Sequence, residues 1–185
     1  MTKIVAGMTM SLDGFVNDSN GSVEPLYRDL ADWRNGERGK ASIAATGAVL
    51  MGRRTFEMAG DPDSYAGQYE YRVPIFVLTS HPPSKHPKEG SGLTFTFAED
   101  GLASAVTQAK DAAGRKQVTV VGGPTLIQAL LHHGAVDELE VDIMPLFLGG
   151  GLRLFKDIEK EVTLERISFD ALPHGRSALR FTVRR

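Results

Sequence analysis

One pattern constrains the fold of this sequence more than any other: short apolar runs that stop abruptly at glycine or hydroxyl residues, two of them followed at once by helical periodicity. Ala48-Val49-Leu50-Met51 runs into Gly52-Arg53-Arg54-Thr55, Val120-Val121 into Gly122-Gly123-Pro124-Thr125, and Val77-Leu78 into Thr79-Ser80. A buried strand followed directly by a helix is the repeating unit of a parallel sheet, because the return path needs a crossover that packs on a sheet face. The remaining segments fit such units. Ile4 to Met10 reads as a buried opening strand, followed by Ser11-Leu12-Asp13-Gly14 and a loop over 17–22. Residues 25–45 have helical spacing in two halves, broken by Asn35-Gly36 and Gly39, which predicts one kinked helix or two short ones. Leu93 to Phe97 alternates as a strand, Leu102, Ala105, Val106, Ala109 and Ala113 recur at helical spacing, and a helix runs to His132 with Pro124 near its first position. In the last third, Leu139, Val141 and Ile143, then 162–169, then Leu179, Phe181 and Val183 read as strands of antiparallel character. The expectation is an α/β fold in one domain over 1–185, a mostly parallel central sheet with an antiparallel C-terminal edge and flanking helices.

Charge and composition exclude several functions. Lys and Arg number 21 against 23 Asp and Glu, a formal charge of −2, so whole-chain electrostatics offer nothing to nucleic acid or an anionic membrane. Cysteine is absent, which removes thiol nucleophiles, disulfides and zinc-thiolate sites together. There is no Gly-x-Ser-x-Gly elbow and no metal-ligand spacing, so no metal is expected. The N-terminus lacks a signal-peptide core and no apolar window approaches a membrane span, which gives cytoplasmic as the expected location.

The strand ends carry the chemistry, since ligands of open α/β sheets bind outside the C-terminal ends of strands. Gly52 would let a phosphate approach the backbone, with unpaired N–H groups and the charges of Arg53 and Arg54 beside it. Gly122-Gly123 would form a concave turn before a helix whose positive end aims at the same point. Thr79 and Ser80, with Lys85, His86 and Lys88 after them, would suit a ribose 2′-phosphate. Each segment also has a plainer explanation: glycines permit strand-to-helix turns, and the cations are solvated.

Read in order, these segments resemble the dihydrofolate reductase-like superfamily, and most closely the reductase domain of the bifunctional riboflavin-pathway deaminase/reductase. The resemblance rests on Met10-Ser11-Leu12-Asp13-Gly14, Val49 to Phe56, Val77 to Ser80, Val121 to Leu126, and Val136-Asp137-Glu138-Leu139 running to Pro145-Leu146-Phe147-Leu148-Gly149-Gly150-Gly151. It implies a three-layer dihydrofolate reductase-like fold and an NADPH-dependent reductase of a small nitrogen heterocycle or its phosphoribosyl derivative. It further implies that Gly52, Arg53, Arg54 and Thr55 hold cofactor phosphates and ribose, Leu78, Thr79 and Ser80 the adenosine 2′-phosphate side, and Gly122, Gly123, Pro124, Thr125 and Leu126 the pyrophosphate. A homodimer is implied as well, with 142–155 as the surface for it.

For the acceptor half, folate reductases place a carboxylate on the helix after the first loop, where this chain offers Asp32 and Glu37. Riboflavin-type reductases carry an Asp-Asp-Pro that Gly60-Asp61-Pro62 matches at one acid. Asp61 and Glu37 are therefore the expected catalytic acids, and Met10, Asp13, Val16 and Trp33 the expected substrate contacts. Because no acid matches cleanly, a nucleotide-binding protein without chemistry is the alternative of another class.

Overall fold

The computed structural model describes residues 1–156, 158 and 161–184. Eight strands form one sheet: β1 (Ile4–Ser11), β2 (Thr46–Gly52), β3 (Pro74–Leu78), β4 (Thr94–Ala98), β5 (Gln117–Val120), β6 (Glu138–Met144), β7 (Leu164–Ala171) and β8 (Ser177–Val183). Their spatial order is β4-β3-β2-β5-β1-β6-β8-β7. Pairing is parallel from β4 through to β6 and antiparallel for β6–β8 and β8–β7. The fold is α/β, a mixed sheet with flanking helices.

Among the described residues six α-helices flank this sheet: α1 (Leu30–Asn35), α2 (Glu37–Ala45), α3 (Arg53–Glu57), α4 (Tyr65–Gln68), α5 (Leu102–Ala113) and α6 (Pro124–His132). Strand alternation sorts β2 between two cores. Ala48 and Leu50 join the core beneath α5 and α6, while Val49 and Met51 join Phe56, Tyr65, Tyr71 and Phe95 on the other face. Both faces are covered, so the β2 apolar run is continuous rather than alternating with polar residues. On α5 the buried residues are Ala105, Ala109 and Ala113, small side chains four apart that let the helix lie close on the sheet.

The break between α1 and α2 falls at Gly36, whose backbone is extended. Gly39, expected to interrupt the pattern, instead sits inside α2. A Cβ there would lie 2.1 Å from the Trp33 carbonyl oxygen, so glycine is what allows the two helices to meet. Residues 61–68 form a 3₁₀ turn (Pro62–Ser64) and α4, which no periodicity foretold. Asp61 caps that turn by accepting from the Asp63 N–H at 3.0 Å, and Tyr65 anchors it in the core.

Loops 11–17 and 145–152 are clasped together. Leu12 N–H donates to Leu146 O at 2.9 Å and Val16 N–H to Leu152 O at 2.8 Å. Asp13 accepts from Ser11 Oγ at 2.5 Å and from the N–H groups of Leu148 and Gly149 at 3.1 and 2.8 Å. The Ser11 hydrogen bond leads in holding its carboxyl below the usual range; desolvation opposes it, and the Gly149 and Leu148 amides add to the lowering.

Candidate functional site

The two glycine junctions converge because β2, β5 and β1 are neighbours in the sheet. Gly52 N–H donates to Gly122 O at 2.9 Å, and Val121 N–H to Leu50 O at 3.2 Å. The backbone here is bare on purpose of packing: a Cβ on Gly123 would lie 3.4 Å from Thr55 Oγ1, and one on Gly122 (φ +112°) 3.2 Å from Met8 Cε. Helices α3 and α6 both start at this meeting point. Arg53 and Arg54 are exposed above it, Arg53 paired with Glu57 at 2.6 Å one helical turn on.

A surface concavity follows along the strand ends, lined by Arg53, Leu78, Thr79, Ser80, Ala98, Glu99 and Gly101. Thr79 is buried and its hydroxyl is held by His81, accepting from the N–H at 3.0 Å and donating to the carbonyl at 3.2 Å. Lys85, His86 and Lys88 do not reach this concavity. Lys85 pairs with Asp63 at 2.6 Å, Lys88 Nζ lies 3.9 Å from the same carboxylate, and His86 meets Glu89 at 2.9 Å. Local acids hold these cations on their own loop, so Arg53 is the cation facing Ser80 and Glu99.

On the face opposite α5 and α6 lies a cavity of about 430 Å³ between the sheet, α1–α2 and residues 64–71. Met8, Met51, Thr55 and Val121 line it, so it opens directly from the glycine junction. Tyr27, Trp33, Tyr65, Tyr69 and Tyr71 give it aromatic walls. Burial pushes the Tyr65 and Tyr71 hydroxyls up to about 12, which keeps them neutral donors.

The polar end of the cavity is built around Arg176, which is 4% exposed. Its guanidinium grips Asp29 through two nitrogens, Nε at 2.9 Å and Nη2 at short range, and donates to Thr9 Oγ1 at 3.0 Å, Asp142 Oδ2 at 3.1 Å and Leu26 O at 3.1 Å. Burial alone would raise the Asp29 carboxyl, but the hydrogen bonds and charge of Arg176 outweigh it and hold the group low. Asp142 stands opposite Thr9 in the β1–β6 register. Burial dominates there and pushes its carboxyl above the usual range, although Arg38 and Arg176 pull the other way. Arg38 Nη2 lies 3.6 Å from Asp142 and 3.9 Å from Glu140, and Arg34 Nη2 2.8 Å from Glu70.

Of the expected substrate contacts, Trp33 lines this cavity and three others do not. Asp13 is spent on the loop clasp and Val16 is buried in the α5–α6 core; Met8 and Met10 both pack against that core, and Met8 also lines the cavity. The expected acids are likewise corrected. Glu37 is exposed at the start of α2, and Asp61 is exposed with its carboxylate occupied as a cap. Asp142, Glu140 and Glu70 are the carboxyls that line the cavity instead, and of these Asp142 is the one that Arg176 contacts. Leu126 turns into the core and its N–H donates to Gly123 O at 3.0 Å, so packing is its role. The signal that could have found Asp142 is the acidic alternation of Glu138, Glu140 and Asp142 between apolar residues, which reads equally as a solvent face. Arg176 carried no local signal, because its partners are 29, 142 and 9.

Among the described residues no group of His, Asp and Glu is arranged to hold a metal ion, and no helix is long and apolar enough to cross a membrane.

A family model for the RibD C-terminal domain matches residues 2–176. The uncharacterized protein YyaP of Bacillus subtilis is 25% identical over 184 residues, covering 94% of this chain and 90% of that protein. Among solved structures, a putative riboflavin biosynthesis protein from Shewanella sp. PV-4 superposes with a TM-score of 0.77 at 21% identity, covering the whole of both chains. Dihydrofolate reductase from Enterococcus faecalis, in complex with NADP(H), superposes with a TM-score of 0.62 at 19% identity, covering 99% of this chain and 97% of that one.

Proposed function

The chain belongs to the RibD C-terminal domain family, and from that premise we propose that it is an NADPH-dependent reductase acting on a small nitrogen heterocycle. One observation carries the proposal: the bare glycine junction opens straight into an aromatic cavity whose far end holds a half-buried carboxyl, Asp142. The residues present fit a dinucleotide. A Cβ at Gly122 or Gly123 would crowd Met8 Cε at 3.2 Å or Thr55 Oγ1 at 3.4 Å, so only bare glycine backbone fits beside Thr55, and Arg53 and Arg54 are exposed on the helix that starts there. Gly52, Arg53, Arg54 and Thr55 would hold phosphate and ribose, Gly122 to Thr125 the pyrophosphate, and Leu78, Thr79 and Ser80 the adenosine end. The structural neighbour from Enterococcus faecalis, which carries NADP(H), supports this choice of cofactor.

When bound, the cofactor supplies a hydride to an electrophilic C=N or C=O carbon. The aromatic walls hold the acceptor ring flat and exclude water, which fixes the reacting atoms in position. Asp142, kept protonated into a higher pH range by burial, gives its proton to the acceptor's ring nitrogen or oxygen as the adjacent carbon is reduced. The carboxylate left behind is stabilised by Arg176 and Arg38 and regains a proton from solvent.

The same reading has the protein work in the cytoplasm as a homodimer. Edge strand β7 is solvent-exposed along nearly all its length and carries Ile167 and Phe169, and Phe147 is exposed on the loop after β6. An isologous β7–β7 contact between two copies would cover the edge and its apolar side chains.

NADPH oxidation over a panel of pteridines, aminopyrimidines and their ribosyl derivatives tests the proposal, with Asp142→Asn beside the native protein. Turnover that falls about 100-fold in the variant is expected for loss of a general acid. Undiminished turnover in Asp142→Asn removes that role, and NADPH binding without oxidation across the panel removes the reductase.

A further inference from the structure

We infer that Glu99 is a specificity-determining residue of the dinucleotide groove: its carboxylate accepts from the adenosine ribose hydroxyls, opposes a 2′-phosphate and so holds the preference for NADPH to a small factor. This rests on the reductase reading above, which assigns the adenosine end to Leu78, Thr79 and Ser80.

Ala98 ends β4 opposite Leu78 in the β3–β4 register, and Thr79 N–H donates to Ala98 O at 3.3 Å. Glu99 follows directly, so it lines the concavity at the strand ends together with Thr79, Ser80 and Arg53. Its side chain is exposed, and among the described residues no cation pairs with it. Asp100, also exposed, adds a second negative charge next to it in the chain. The donors of the concavity, by contrast, are engaged. Arg53 Nε meets Glu57 at 2.6 Å, Thr79 Oγ1 donates to His81 O at 3.2 Å, and Ser80 Oγ lies 2.8 Å from His81 Nδ1. Lys85 and Lys88 stay with Asp63, and His86 with Glu89.

A ribose with free hydroxyls brings O–H donors, and an ionised carboxylate is an acceptor only, so the two are complementary. A 2′-phosphate replaces one of those donors by acceptor oxygens carrying about two negative charges. Two features favour it. Arg53 can be drawn from Glu57, because that pair is half-exposed and therefore weak, and α5 starts at the concavity with no side-chain cap on Gly101. Glu99 stands against both by like-charge repulsion. In a water-exposed site one cation and one acid act on the phosphate with similar strength, so the balance tips toward NADPH by little.

The test is fluorescence titration of the full chain with NADPH and NADH, native beside Glu99→Gln and Glu99→Lys, at low salt and at about 0.15 M. In Glu99→Gln, NADPH is expected to bind about tenfold tighter and NADH no tighter, with a further gain for NADPH in Glu99→Lys. The gain should shrink as salt is added, which a merely structural role of Glu99 would not produce. A ratio of the two dissociation constants that is unchanged in both variants, or NADPH binding that weakens, overturns the inference. Calorimetry with AMP and adenosine 2′,5′-bisphosphate reads the adenosine end alone. The same shift within that pair, with no NADPH oxidised by any acceptor, removes the reductase and leaves Glu99 its role, whereas absence of binding by all four nucleotides removes both.

Discussion

Replacing Arg176 with methionine keeps the buried volume and removes the charge that joins three elements. The guanidinium links the turn just ahead of β8 to Asp29 ahead of α1, to Asp142 on β6 and to Thr9 on β1. Without it, Asp29 is a buried carboxylate with no countercharge, and Leu26 O loses a donor. Breaking a buried pair from one side costs about 3–5 kcal/mol. For a domain of this size each kcal/mol moves Tm by roughly 2–4 °C, so the melting temperature should fall by on the order of 10 °C. In urea the midpoint should drop with the slope unchanged. Asp29 is held below its ordinary pKa, so its contribution is full above that ordinary value and is lost as pH falls through the lowered one. The deficit of the variant must therefore shrink in acid, and Arg176→Met with Asp29→Asn should recover part of it. A deficit under about 1 kcal/mol at neutral pH, or one that neither acid nor Asp29→Asn reduces, refutes the reasoning.

Other outcomes follow from the same geometry. Gly122→Ala puts a Cβ at φ +112°, 3.2 Å from Met8 Cε, and should weaken NADPH binding about tenfold or more in a fluorescence titration. If Asp142 acts in its protonated form, kcat/KM falls as pH rises through its raised pKa, and Asp142→Asn lacks that limb of the profile. Asp13→Ala should speed hydrogen exchange at the Leu148 and Gly149 amides specifically. In the native protein the same protection is present above the ordinary Asp pKa and is lost as pH falls through the lowered one. Ile167→Lys with Phe169→Lys should sediment as a monomer if β7 forms the dimer edge, and an unchanged mass removes that edge from the interface.

The parallel half of the fold was legible because its strands are apolar on both faces and its turns are marked by glycine. Gly52 and Gly122-Gly123 stand out in the chain, and the rule that strand ends converge brings them together before any coordinate is known. The cavity was less legible for the opposite reason. Its walls come from residues around 27, 33, 65–71 and 142, none of which forms a local pattern, and its Arg176 acts through partners more than 30 residues away. Asp61 and Asp13 misled because short-range capping and loop closure use the same side chain that catalysis would use. Trp33 lines the cavity, as its position after the first loop suggests, and Gly39 lets α1 and α2 meet beside it.

The central claim is that the glycine junction is a dinucleotide groove continuous with the tyrosine-lined cavity. Trp33 is the single tryptophan of the chain and lines that cavity, so its emission reports on a nicotinamide bound beside it. The direct measurement is titration with NADPH and NADH, following Trp33 quenching and sensitised nicotinamide emission, in the native protein and in Arg53→Ala/Arg54→Ala. The account predicts saturable transfer with NADPH preferred, and a preference that is lost in the double variant. No transfer and no binding of either dinucleotide would contradict it.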